Sequence, residues 1–231
     1  MSFTEAMFDY VFDHISELKK EVAVKDKEGN EKIVNFQTPW QRIDYIAGVK
    51  EKSGIDVSLY GPEDEQILRE AIKKAGYTWE GIDKQVTATM IDYLYKKVLR
   101  PGIVWPAFVY NYPRTMQPLA RQNDQNPEIV EQWQLVINGW EVIKAYSELV
   151  DSEIQKANFD AQSSALEKWD AEATSSDDDF VLAMEYGMPP QSGWWMGVER
   201  ILCLLTWEEN LRDMVLFPLM KSLGKEETGK Q

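Results

Sequence analysis

Arg200, Glu141 and Glu148 are side chains of types that could do chemistry, and Arg200 and Glu148 each also have an ordinary reading. Arg200 follows Gly197-Val198-Glu199 at the head of the apolar run ILCLL. A guanidinium is planar and permanently charged, which suits stacking over an aromatic ring and holding a phosphate. It equally suits a surface position on a buried helix. Glu141 lies in GWEV, and carboxylate oxygen is the hard ligand that magnesium takes. Glu148 lies in Tyr146-Ser147-Glu148-Leu149. A buried carboxylate is costly unless paired, so Glu148 reads either as a selective receptor for a cation or as a first-turn acid of the next helix. On these residues alone both readings stay open.

The elements that must position these groups are legible as patterns. Asn138-Gly139 between two β-rich runs is the strongest short hairpin signal, predicting strands over about 132–137 and 140–146. Strict alternation then puts Glu141 on one face with Ile143, Ala145 and Ser147, and Glu148 just past the strand end. A β-type run over 105–112 is bounded by prolines, and 193–197 reads as a short strand before a helix that begins just after Gly197. Upstream, Ser2 and Glu5 form a capping-box pattern before a helix carrying Phe8, Phe12, Ile15 and Leu18. Val22 and Val24 face Ile33, Val34 and Phe36 across KDKEGN as a hairpin. Asp44 is placed to cap a helix through Lys52 ended by Gly54. Pro62 opens a third helix, with Ile67, Leu68, Ala71 and Ile72 on one face and a stop at Gly76. A fourth runs from about Asp83 to Leu99, with Val86, Met90, Tyr93, Leu94 and Val98 inward. Helices follow from Ser152 to Ala173 and, past the loop TSSDDD, to Tyr186 with a stop at Gly187. The tail SLGKEETGKQ is polar.

Composition narrows the function. The chain has 231 residues, 44% of them hydrophobic, and a net charge of −14, so no overall basic field draws in nucleic acid. Contact with RNA would have to be local or aided by another domain. No apolar run approaches the ~20 residues that span a bilayer, and MSFTEAMFDYVFDH is not a secretory signal. One cysteine, Cys203, fits a reducing cytoplasm and rules out an internal disulfide; one histidine, His14, argues against a His-based site.

The stretch from Gly187 to Pro218, GMPPQSGWWMGVERILCLLTWEENLRDMVLFP, resembles the third signature motif of class II aminoacyl-tRNA synthetases, Gly-x-x-x-Gly-x-(Asp/Glu)-Arg. Its flanks are similar to the subgroup that charges lysine, aspartate and asparagine. NYPRTMQPLARQNDQNPEI and the aromatic-Ser-Glu-Leu tetrad at 146–149 resemble the lysine-type members. The resemblance implies an α+β fold: an antiparallel sheet with flanking helices on one side, a partial catalytic domain over 1–221, a helical insertion over about 40–100 and a tail over 222–231. It implies that Arg200 is the catalytic arginine, packing over the adenine of ATP and reaching the γ-phosphate. It implies that Glu141 and Gln134 hold metal-bound phosphates, and that Glu148 pairs with the ε-ammonium of lysine while Tyr146 lines its stem and Lys144 contacts it. ATP and Mg2+ are the implied cofactors. Lysine and tRNA are the implied partners, together with a homodimer or a complementary N-terminal chain, in the cytoplasm and off the membrane. A non-catalytic paralogue acting as a binding or regulatory module is the other implied reading.

Three residues depart from that pattern. Gln134 stands where the family carries a second metal-binding glutamate, so the charge is missing. Lys144 replaces a small asparagine, and a lysine there could compete for Glu148. Trp195 replaces a glycine, so its indole could fill the adenylate pocket. No stretch resembles the anticodon-binding barrel or the first two motifs.

Overall fold

The computed structural model describes residues 1–25, 29–167, 176–206, 208 and 210–218. A five-stranded sheet of order β3-β4-β5-β6-β7 organises the chain. Its strands are β3 (Gln41–Asp44), β4 (Ala107–Tyr110), β5 (Gln132–Ile137), β6 (Trp140–Ser147) and β7 (Ser192–Met196). β4 to β7 pair antiparallel, and β3 joins β4 in parallel at one edge. That edge strand was not expected: QRID has no apolar alternation to announce it. A separate hairpin of β1 (Glu21–Lys25) and β2 (Glu31–Asn35) forms as expected, although bend residues 26–28 lie outside the described residues.

Helices cover both faces of the sheet rather than one. On one face α2 (Tyr45–Ser53), α3 (Glu65–Lys74) and α4 (Thr87–Val98) pack Val49, Leu68, Ile72 and Leu94 toward Ala107, Val109 and Val136. On the other, α1 (Ser2–His14), the β1–β2 hairpin and α7 (Val198–Thr206) bring Phe8, Phe12, Phe36, Trp40 and Ile201 against Phe108, Leu135 and Val142. The reason lies in β4, whose Ala107, Phe108 and Val109 are all buried. A strand apolar at successive positions needs cover on both sides.

Local chemistry sets the boundaries. Asp44 accepts from the Ala47 N–H at 2.8 Å, and Gly54 closes α2 in the left-handed region at φ 77°. The capping box at Ser2 does not form: Met1 is the cap position, α1 ends at His14, and Glu5 turns to Arg42 and the Trp40 N–H instead. α3 begins at Glu65, past Pro62, and Ile67 points outward while Leu68 and Ile72 are buried. α4 begins at Thr87, and its buried face holds Met90, Ile91, Leu94 and Tyr95; Val98 packs half-buried against the same core as expected, while Tyr93 stacks on Trp79. α5 (Ser152–Glu167) and α6 (Asp178–Glu185) match expectation; 168–175, including the end foreseen at Ala173, and the tail beyond 218 lie outside the described residues. No described helix is long and apolar enough to cross a membrane.

Candidate functional site

The β5–β6 hairpin carries most of the expected site residues. Its tip is Asn138 at φ 48° and Gly139 at φ 72°, both in the left-handed region that a tight primed turn requires. The tip is anchored by its backbone N–H groups, which donate to Val104 and Ile103 at 2.9 and 2.8 Å. Pairing runs Gln132 with Tyr146, Gln134 with Lys144 and Leu135 with Ile143, then slips so that Val136 faces Glu141. This bulge leaves Val142 as the extra residue. Val142 and Ile143 both bury on the aromatic face, and Glu141 swings to the face of Lys144 and Tyr146. Simple alternation had put Glu141 with Ile143 and Ala145; the bulge overturns that, as bulges re-aim side chains.

β7 extends these rows. Trp195 lies opposite Lys144, and Gly193 opposite Tyr146. The structure therefore aligns Gln134, Lys144 and Trp195 in one row and Gln132, Tyr146 and Gly193 in the next. Glu148 reaches the second row because Gly193 has no side chain: a Cβ there would lie 2.8 Å from Glu148 Oε1. The Glu148 N–H donates to the Gln191 carbonyl at 3.0 Å, so the residue belongs to the strand end rather than to the first turn of α5.

Each charged group has an identifiable environment. The Lys144 ammonium donates to Gln117 Oε1 at 2.9 Å and lies 5.3 Å from the Tyr146 ring centroid. Burial lowers its pKa, opposed by the charges of Glu141 and Glu148. Burial raises the pKa of Glu148, opposed by Lys144, and burial followed by the Glu148 charge raises that of Tyr146. The expected competition of Lys144 for Glu148 is thus a field effect, with the direct bond made to Gln117. The Glu141 carboxylate meets the Arg100 guanidinium at 3.1 Å. Arg200, in the first turn of α7, donates to the Glu141 backbone carbonyl. Its stem and the Trp195 indole lie side by side over Gly197, 3.4 and 3.6 Å from where a Cβ would stand. Trp195, Glu199, Arg200, Arg212 and Phe217 line a groove of about 490 Å3 there. Arg200 and Trp195 thus share this groove, where the indole was expected to fill the adenylate pocket.

Arg100, Gln117, Gln132 and Gly193 belong to this constellation and were not singled out from sequence. Gln132 is 4% exposed, and neither side-chain amide atom has a hydrogen-bond partner. Gln134 Oε1 is likewise buried and unpartnered. Each such atom costs roughly 1–3 kcal/mol if left unsatisfied, so this face is polar at a cost to stability.

The face does not fit a divalent cation. Gln134 is neutral and pairs in register with Lys144, while Glu141 is engaged by the Arg100 guanidinium. A like charge on Lys144 would repel a cation held in this row, and a divalent ion twice as strongly as a monovalent one. Among the described residues no group of three or more His, Cys, Asp or Glu side chains could hold a metal.

A family model of tRNA synthetases class II (D, K and N) matches residues 1–221. The lysine–tRNA ligase of Porphyromonas gingivalis (strain ATCC 33277) is 35% identical over 221 residues, 96% of this chain and 36% of the relative. That of Aquifex aeolicus is 31% identical over 226 residues, 98% and 36% of the two chains. That of Deinococcus radiodurans is 35% identical over 219 residues, 94% and 41%. This chain spans 36 to 42% of the length of the curated relatives it matches.

Proposed function

This chain belongs to the class II tRNA synthetases of the D, K and N group, and from that premise we propose that its site face is the C-terminal part of an ATP-dependent lysine-activating site, of the kind that charges tRNA(Lys). The observation that supports this most is the bulge in β6, which gathers Glu141, Tyr146 and Glu148 on one face and brings Arg200 to the Glu141 carbonyl. In this reading Arg200 holds the nucleotide, with Glu141 and Gln134 beside the phosphates. Glu148 receives the ε-ammonium of lysine and Tyr146 lines its stem. Activation joins the lysine carboxylate to the α-phosphate of ATP and releases pyrophosphate. No side chain acts as nucleophile; fixed charges and positioning carry the step. The reading places residues 1–221 in the catalytic domain, in the cytoplasm, acting with tRNA and with a second copy or an N-terminal chain.

Calorimetry with ATP and lysine tests this. Glu148→Gln should abolish lysine binding and spare ATP, since removing one member of a desolvated charge pair costs about 2–5 kcal/mol. Arg200→Ala should do the reverse. Lysine binding that survives Glu148→Gln would end the assignment.

A binding or regulatory module without catalysis is the second reading. It is favoured by Lys144, whose ammonium already lies over Tyr146, and by Trp195 in the Arg200 groove. ATP–pyrophosphate exchange separates the two: lysine-dependent exchange supports the enzyme, and ligand binding without exchange supports the module.

A further inference from the structure

The site face carries fixed positive charge where a bound cation would otherwise be needed. Lys144 stands opposite Gln134, Arg100 lies 3.1 Å from Glu141, and Arg200 donates to the Glu141 carbonyl. Lys144 feels the charges of Glu141 and Glu148, Arg100 pairs with Glu141, and Glu199 lines the groove that holds Arg200. An ammonium has three donors, and among the described residues Gln117 takes one of those on Lys144. Beside it, Gln134 Oε1 and both amide atoms of Gln132 are buried and unpartnered. A metal at Gln134 would lie in the strand row that carries Lys144 and gain no charge from the amide. An anion on this face would find the remaining Lys144 ammonium donors and the unpaired Gln132 Nε2 N–H in the next row, while the two unpartnered Oε1 atoms add nothing to its attraction.

We infer that Lys144 and Arg100 stand in for a divalent cation on this face, so that its anionic ligand, a nucleoside polyphosphate, binds without metal. The ligand class rests on the nucleotide part of the reading above; the exclusion of a divalent ion rests on Lys144, Gln134 and the Arg100–Glu141 pair. Arg100 neutralises Glu141, which would otherwise repel phosphate, and Lys144 supplies the remaining positive charge. A fixed ammonium needs no ion from solution, and its position is set by Gln117 and the Tyr146 ring.

Two titrations of the full chain test this separately. In the first, ATP is titrated by calorimetry in EDTA and in excess Mg2+. The affinity in EDTA should equal or exceed that in Mg2+, and Lys144→Met should weaken it about tenfold, the scale of one lost charge contact. ATP binding that disappears in EDTA overturns the inference. Failure to bind ATP in either buffer overturns the ligand named here together with the nucleotide reading. In the second, Mn2+ alone is titrated and followed by electron paramagnetic resonance. The parent should show no saturable site, and Gln134→Glu/Lys144→Asn should gain one that Glu141→Gln then removes. A saturable Mn2+ site in the parent that is lost on Glu141→Gln contradicts the exclusion. So does a folded double variant that gains no site, with folding checked by circular dichroism.

Discussion

On the aromatic face of the sheet Phe108 is fully buried, edge-on to Trp133 at 4.9 Å and tilted against Trp40 at 5.6 Å. On the site face, one strand over, Gln132 is almost as deeply buried and neither atom of its amide has a partner. The same hairpin supplies both. Leu135, Ile137, Val142 and Ile143 go one way, and Gln132, Gln134, Glu141 and Lys144 the other. The first face gains stability from apolar area and aromatic contact. The second gives up stability to hold polar groups ready, the signature of a functional face.

Substitutions should therefore separate the faces by what they change. Phe108→Ala has the largest expected effect, a loss of about 3–5 kcal/mol in denaturant unfolding, with ligand affinity per folded molecule unchanged. A similar loss from Lys144→Met would break the contrast.

Glu5→Gln comes next, and it adds a pH test to the aromatic face. The Arg42 guanidinium, then the Trp40 N–H, hold the Glu5 carboxyl below its ordinary value of 4.5. The bonds to Arg42 are 2.7 Å each. A depressed carboxylate contributes stability above its unfolded pKa and loses it as pH falls through the folded value. Removing the charge should cost about 2 kcal/mol at pH 7. The gap between parent and variant should close as pH falls below 4.5 toward the folded pKa, read from urea midpoints. A gap that persists at low pH would contradict the ion pair.

These boundaries also show what a sequence reader can reach. The Asn138-Gly139 turn was legible because both positions need positive φ and the residue types say so. Glu141 and Glu148 were legible as residue types, and the Asp44 cap by its place before an apolar run. The face of Glu141 was not legible: a bulge adds one residue to a strand without changing its composition, and strict alternation then assigns the wrong side. Arg100 and Gln117 were missed because they enter from turns 41 and 27 residues before their partners. β3 was missed because four mostly polar residues pair only through tertiary context.

Gly193→Ala sharpens the site-face half of the comparison. Its Cβ would meet Glu148 Oε1 at 2.8 Å, so the carboxylate must move. Lysine affinity should fall about tenfold, or about 1.4 kcal/mol, by calorimetry, with little change in melting temperature. Unchanged affinity would mean that Glu148 does not act from where it lies. Gln132→Leu has the smallest expected effect and the most telling sign. Replacing an unpaired buried amide with an apolar side chain should stabilise the chain by about 1 kcal/mol in urea unfolding, and weaken ligand binding. Destabilisation would show that the amide is structural.

The most direct measurement is nuclear magnetic resonance of the side-chain N–H groups during addition of ATP and lysine. The amide signals of Gln132 and Gln134, assigned by their loss in Gln132→Leu and Gln134→Leu, should shift on binding. The indole N–H of Trp40, which donates to the Phe36 carbonyl at 3.0 Å on the opposite face, should stay in place. Unmoved amides with a shifted Trp40 would put the ligand on the wrong face and contradict the account.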